Sequence, residues 1–308
     1  MLQSSGATVT VVLKDGQSFK LTSQECWQLA EEAYHLFVHD NIALSENLPV
    51  TKINKNGKEF YVVVSSLFYF WLQVGMGVWE PNTFRIFDRF ISKDSTFIDI
   101  GAFIGSTALY AAQLAKVAFA FEPDPHAFKE LELNVRANKQ LGLMSHLSIY
   151  EKAVASRSGK IVIGSQGSGG DSGSSVFFSN RSVAWEVEAI TLGEFMESKK
   201  VQGKVFIKMD IEGGEYELLP KLKKLFLRYD VVLFLSIHHQ ILMDSINKGN
   251  KFLARIVFVY LHFKLVRALP FKYFYSNSGR RKNLYTRMIK GIFEGKFINE
   301  IVATNVPW

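Results

Sequence analysis

Three acids fall within six residues at Asp210, Glu212 and Glu215, and a histidine pair, His238 and His239, follows after one further helix-and-strand interval. Carboxylates this close repel one another when all are ionised, so raised pKa values or cationic neighbours are expected. Glu212 and Glu215 stand three apart and share a face if the segment turns helical. A histidine beside such a group suits proton transfer near neutral pH. Adjacent residues on extended chain point to opposite sides, so one of the two histidines faces the acids and the other does not. The chemistry that fits is removal of a proton from a hydroxyl. On this reading His238 or Asp210 accepts the proton, and Glu212 or Glu215 orients the hydroxyl. The plainer alternative is acids that favour a helix N-terminus beside hydrogen-bonded structural histidines. Asp210 could also ligate magnesium, but no clear second ligand pair accompanies it, and no metal is expected.

A second constellation precedes this one. Asp99-Ile100-Gly101-Ala102-Phe103-Ile104-Gly105 closes a short apolar run and opens a helical one. Gly101 can take backbone angles closed to other residues and lets a ligand approach the main chain at Gly101 and Ala102. Gly105 opens a helix whose N–H groups favour a carboxylate, and Asp99 could hold an ammonium group, directly or through water. Glu122 stands 21 residues beyond Gly101, the spacing at which a carboxylate accepts from both hydroxyls of a ribose. Two glycines spaced Gly-x-x-x-Gly, rather than three, weaken a pyrophosphate reading and with it a nicotinamide cofactor. S-adenosylmethionine carries such a carboxylate, an ammonium group and a ribose, and Asp99, Gly101, Ala102, Gly105, Glu122 and Asp210 are the contacts expected for it.

The elements that must position these residues alternate. From Thr96, apolar runs at Phe97 to Ile100, Val117 to Phe121, Leu147 to Glu151, Val205 to Met209 and Val231 to Ile237 are separated by helical patterns. Those patterns cover Ser106 to Leu114, Pro125 to Lys139, Gly214 to Leu227 and Ile241 to Val266; Phe271 to Tyr275 and Ile298 to Ala303 are candidate final strands. Such alternation implies a doubly wound α/β fold, Rossmann-like, with a mostly parallel sheet and right-handed crossovers. Ligands then bind at the carboxyl ends of the strands, where both constellations fall. Between the third and fourth strands, Gly164 to Gly173 holds five glycines and three serines, a surface loop or a mobile lid.

Residues 1–93 read as a small α+β extension and 94–308 as the main domain. In the extension, strand-like runs flank Asp15-Gly16, Thr22 and Glu25 form a capping-box pattern ahead of a helix from Ser23 to Val38, and Asn56-Gly57 marks a second hairpin. Tyr61 to Trp79 carries no charged residue, yet its serines, Gln73 and glycines favour a strand followed by buried chain over a membrane span.

The 308 residues carry 36 Lys and Arg against 29 Asp and Glu, a formal net charge of +7. That sign is compatible with acidic substrates, anionic surfaces and nucleic acid. The densest basic group is Arg280, Arg281, Lys282, Arg287 and Lys290, an ordinary solvated face or a weak contact with an anionic surface. Cys26 is the one cysteine, so folding needs no oxidising compartment. The start lacks a basic stretch followed by an apolar core, and a cytoplasmic setting is expected.

The ordered motifs are similar to those of the FkbM-type methyltransferases. The resemblance rests on the run from Phe97 to Gly105, on Phe121-Glu122-Pro123-Asp124-Pro125 with Leu133-Asn134 and Asn138, and on the stretch from Ile207 to Leu219 that contains Asp210-Ile211-Glu212-Gly213-Gly214-Glu215. Gly77-Val78-Trp79-Glu80-Pro81 is a weaker fourth match. It covers roughly Gly77 to Ala303 and departs at Phe103, where the family usually has Asn. The resemblance implies a class I methyltransferase fold. It also implies methyl transfer from S-adenosylmethionine to an oxygen of a sugar, glycan, polyketide or similar small molecule, with no nucleic-acid partner. The alternatives are a nucleic-acid methyltransferase, disfavoured because acids occupy the position of an Asn/Asp-Pro-Pro-aromatic motif; a catalytically inactive binding module; and a nicotinamide oxidoreductase.

Overall fold

The computed structural model describes residues 8–12, 18–22, 25, 50–65, 67–165, 183–246, 251–294 and 297–308. The chain begins with two antiparallel hairpins, β1 (Thr8–Val12) with β2 (Ser18–Thr22) and β3 (Val50–Lys55) with β4 (Lys58–Val63). The second turns at Asn56 and Gly57, both at positive φ, as an Asn-Gly turn requires. The Thr22–Glu25 capping pair forms: the Thr22 N–H donates to Glu25 Oε2 at 2.7 Å. The helix expected beyond it lies outside the described residues, as does most of the Gly/Ser segment after Ser165.

Helices α1 (Phe68–Met76) and α2 (Pro81–Phe90) lead into the alternating unit. Its elements are β5 (Thr96–Ile100), α3 (Ser106–Ala112), β6 (Val117–Phe121), α4 (Pro125–Gln140) and β7 (Leu147–Tyr150). Three strands absent from the sequence reading follow, β8 (Ala153–Val154), β9 (Gly159–Gly164) and β10 (Ala184–Ile190), which pair in the order β8-β10-β9. Most of β10 is exposed or half-exposed, so its apolar signal is weak. Then come α5 (Leu192–Ser198), β11 (Lys204–Met209), α6 (Glu215–Arg228) and β12 (Asp230–Ser236). The single helical stretch expected after β12 is two helices, α7 (His239–Ile246) and α8 (Lys251–Arg267). The chain ends in β13 (Tyr273–Ser276), α9 (Leu284–Glu294) and β14 (Glu300–Thr304).

The main sheet has seven strands in the order β13-β14-β12-β11-β5-β6-β7. The five strands from β12 to β7 are mutually parallel, and β14 runs antiparallel to β12 and β13. This is the Rossmann-like, class I methyltransferase arrangement. The chain moves outward from β5 to β6 and β7, then returns to β11 on the other side of β5. The order therefore reverses between β5 and β11, the place where such sheets open a crevice at their carboxyl ends.

Two apolar layers cover the sheet, one built from β3, β4 and α1 to α4, the other from α5 to α9. Residues 50–91 belong to the first layer rather than standing apart. Phe87 of α2 lies 5.4 Å from both Phe97 and Phe206 and 6.3 Å from Phe234, ring centre to ring centre. One side chain thus ties α2 to three strands, and full burial of a ring that size contributes about 1.5–3 kcal/mol. Asn134 and Asn138 of α4 are completely buried because they act as an edge partner for β4. Val63 N–H donates to Asn134 at 2.8 Å, Tyr61 N–H donates to Asn138 at 2.9 Å, and Asn138 returns a bond to the Tyr61 carbonyl at 2.7 Å. No helix among the described residues is long and apolar enough to cross a membrane.

Candidate active site

A cavity of about 1270 Å³ opens at the carboxyl ends of β5, β6, β11 and β12. On one side lies the turn after β5. The Gly101 and Ala102 N–H groups both donate to the Phe121 carbonyl at 3.0 Å, which ties the turn to β6. Gly101 has φ +82°, and a Cβ there would stand 1.8 Å from the Asp210 carbonyl oxygen. Its need for glycine therefore comes from the protein's own loop after β11. Gly105 has φ +102°, and a Cβ there would meet Leu131 at 2.7 Å; it serves the packing of α3 on α4 and does not line the cavity.

Glu122 lines this side and is buried, 6% exposed. One carboxylate oxygen accepts from Phe103 N–H at 2.7 Å and the other from Asp124 N–H at 2.9 Å. Burial pushes its pKa up to about 7 against the pull of those two bonds. Asp99 is not brought to the cavity wall as expected. It is fully buried, accepts from the Thr107 hydroxyl at 2.6 Å, and has Lys208 Nζ 3.4 Å from its other oxygen. Direct access to a ligand's ammonium group is closed by that packing.

Lys208 is the residue the sequence reading passed over. Its Nζ donates to the Gly101 carbonyl at 2.7 Å and lies 3.7 Å from Asp210. Burial pulls its pKa down, but Asp99, Asp210 and Glu80 outweigh it and hold the ammonium above its ordinary value. Burial pushes the Asp99 pKa up while Lys208 and the Thr107 hydroxyl pull it down; Lys208 and Asp99 are read as an ionised pair because a lysine charge buried here without its partner would be costly. A lysine one residue before the end of an apolar run, Val205-Phe206-Ile207-Lys208-Met209, is the signal that could have found it.

The opposite side gathers the four residues assigned to the reacting end. His238 Nδ1 sits 3.0 Å from Glu215, and its Nε2 sits 3.4 Å from Asp210 and 3.5 Å from Glu212. Burial lowers the His238 pKa, yet the hydrogen bond to Glu215 and the three carboxylates overcome it and raise it to about 9. A pKa near 9 favours the imidazolium form of His238 at neutral pH, with both ring nitrogens directed at carboxylates. Glu212 is raised to about 7, first by burial and then by Asp210 and Glu215. Glu80, at the start of α2, also reaches about 7 through burial and the nearby Asp210. Asp210, Glu215 and His238 have ligand atoms mutually within 4.8 Å, a spacing that could hold a metal ion, whereas the sequence offered no clear second ligand pair for Asp210 and none was expected.

His239 takes the other side, as alternation requires. It contacts the Tyr216 hydroxyl at 2.7 Å and the Ile298 carbonyl at 2.9 Å, and burial lowers its pKa to about 4. It is a neutral, hydrogen-bonded residue.

Among the described residues, six non-glycine positions have positive φ, and three of them, Glu80, Phe103 and Glu212, line the cavity. Such conformations cost of order 1–3 kcal/mol each and concentrate at functional sites. Phe103 offsets that cost with a T-shaped contact to Phe70 at 5.6 Å.

A crystal structure of methyltransferase FkbM from Methylobacillus flagellatus superposes with a TM-score of 0.37 at 16% identity, covering 57% of this chain and 44% of that one. Trm5b from Pyrococcus abyssi gives 0.30 at 16% identity over 62% and 41%, and a precorrin-6y C5,15-methyltransferase from Geobacter metallireducens gives 0.30 at 16% over 60% and 70%. The chain thus spans less than half the length of the first two. No curated protein matches. The methyltransferase FkbM domain model matches residues 99–262, a span that opens at Asp99, closes at His262 and contains Glu122, Asp210, Glu212, Glu215 and His238. With more than half of the chain matched, this protein belongs to the FkbM methyltransferase domain family.

Proposed function

We propose that this chain is an S-adenosylmethionine-dependent O-methyltransferase acting on a hydroxyl of a small molecule or glycan. The observation that carries the reading is the two-sided cavity: a ribose-type acceptor, Glu122, on one wall and a proton-loaded acid–histidine group on the other, at the point where strand order reverses. Both Glu122 oxygens are anchored by main-chain N–H groups, and each keeps a lone pair for a ligand hydroxyl. Ile100, Ala102, Phe121 and Val154 give that wall the apolar surface a purine ring needs. The residues present therefore fit the cofactor, with Gly101, Ala102 and Glu122 holding its nucleoside and Lys208 and Asp210 near its amino-acid end.

When bound, S-adenosylmethionine supplies an electrophilic methyl group. The chain must orient the acceptor, exclude water and take up one proton. The sequence placed that proton on His238 or Asp210. The charge state of His238 moves it to Glu212, whose pKa near 7 matches a base working at neutral pH. The His238 imidazolium then holds Asp210 and Glu212 in place, and Glu215 fixes the imidazole ring. Phe70, Trp79 and Phe103 close the N-terminal side of the cavity against water. The negative wall disfavours phosphate beside the reacting centre, which argues for an uncharged acceptor over nucleic acid.

Calorimetric titration with S-adenosylhomocysteine tests the reading. Wild-type protein should bind in the micromolar range, and Glu122→Ala should lose about 10- to 100-fold by removing two charge-assisted hydrogen bonds. Absence of binding by folded wild type would overturn the cofactor assignment and favour an inactive binding module.

A further inference from the structure

The sequence carries its charge unevenly. Residues 245–293 hold eleven Lys and Arg and no Asp or Glu, whereas the rest of the chain has 25 basic against 29 acidic residues. The segment contains α8, a helix that is apolar on two faces. One face packs on the body through Ala254, Phe258, His262 and Leu265, all buried. The other is a stripe of Ile256 (51% exposed), Val259, Tyr260 (62%) and Phe263 (40%). These sit at i, i+3, i+4 and i+7, one continuous line along the helix. Exposed Arg255 and Lys264 flank the stripe on opposite sides, and Arg267 stands at its end.

An apolar line between basic flanks is the arrangement of a helix that lies in a bilayer surface, its apolar side chains among the acyl chains and its cations among anionic headgroups. We infer that α8 is a docking surface for an anionic lipid membrane. Nucleic acid would use the same cations but gains nothing from Ile256 and Val259, and the absence of acids over the segment removes the complementary charges a second copy of this face would need. The geometry also places the surface near the site. Helix α7, whose first residues His239, Gln240 and Ile241 line the cavity, packs directly on α8. Docking would hold the cavity rim close to lipid, where a membrane-borne acceptor is within reach.

The test is co-sedimentation of the full chain with vesicles of phosphatidylcholine alone or with about one-third phosphatidylglycerol. Binding should favour the anionic vesicles by at least about 10-fold and weaken with added salt. Arg255→Gln and Lys264→Gln should each lower partitioning about 5-fold. The double variant Ile256→Gln/Phe263→Gln should lower it about 10-fold or more with the thermal midpoint unchanged. Equal binding to both vesicle types, or variants that bind like wild type, would overturn the inference. So would a duplex RNA or DNA that the Arg/Lys variants lose and the Ile/Phe variant keeps. A wild-type dimer in light scattering that Ile256→Gln/Phe263→Gln converts to monomer would assign the face to self-association instead.

Discussion

The two walls of the cavity are built on different principles. On the β5–β6 side, position is set by main chain: Gly101 and Ala102 bond the Phe121 carbonyl, and Glu122 is pinned by the N–H groups of Phe103 and Asp124. On the β11–β12 side, side chains set one another, with His238 among Asp210, Glu212 and Glu215 and Lys208 between Asp99 and Asp210. The first wall keeps its shape if one side chain changes. The second is a charge balance, in which changing one member alters the protonation of the rest. Main-chain anchoring suits a ligand that is bound the same way each time; a mutually titrating group suits a step in which a proton must move.

The sharpest way to break that contrast is at the joint between the walls. Lys208→Met should cost about 3–5 kcal/mol by leaving Asp99 buried without its cation, read by denaturant unfolding; Asp99→Asn added to it should recover part of the loss. A cost below about 1 kcal/mol would mean the pair is not ionised. Next in size, Glu212→Gln should lower kcat about 10²- to 10³-fold and remove the limb of the rate profile that rises through pH 7, while S-adenosylhomocysteine affinity stays near wild type. If the limb survives in the variant, the base is another group.

The pH dependence of stability sharpens the comparison further. Glu80, Glu122 and Glu212 sit near 7 in the folded chain against an ordinary 4.5, and His238 near 9 against 6.5. All four bind protons more tightly when folded. Their stabilisation is complete below the unfolded values and is lost as pH rises through the folded ones, between about 4.5 and 7 for the acids and 6.5 and 9 for His238. The thermal midpoint should therefore fall from pH 6 to pH 9, and His238→Gln should flatten the upper part of that fall. The smallest effect is a control for the first wall: Gly193→Ala in α5, where an added Cβ meets nothing within 4 Å, should change stability by less than about 1 kcal/mol.

The main-chain wall was readable in the sequence because glycine and a strand-end acid leave local marks. The doubly wound sheet, Glu122 beside the cavity and the gathering of Asp210, Glu212, Glu215 and His238 all follow from strand ends and spacing. Asp99 was misplaced because its neighbour across the sheet, Lys208, pairs with it from 109 residues away, a contact that register decides and spacing does not display. The His238 charge state escaped for the same reason, since it depends on how three carboxylates converge. Strands β8 to β10 were missed because β8 is two residues long and β9 and β10 are largely exposed, which leaves little apolar contrast, and Glu80 because the burial and the Asp210 charge that raise its pKa are set by the fold.

Phe103 holds a left-handed conformation where the family usually carries Asn, a residue that adopts it readily. Its strain is offset by the ring of Phe70, which belongs to the N-terminal helices. The two positions are thus coupled: removing the Phe70 ring would leave the left-handed Phe103 backbone without that contact, whereas Phe103→Asn would relax the backbone and leave Phe70 to its packing on Trp71 and Trp79.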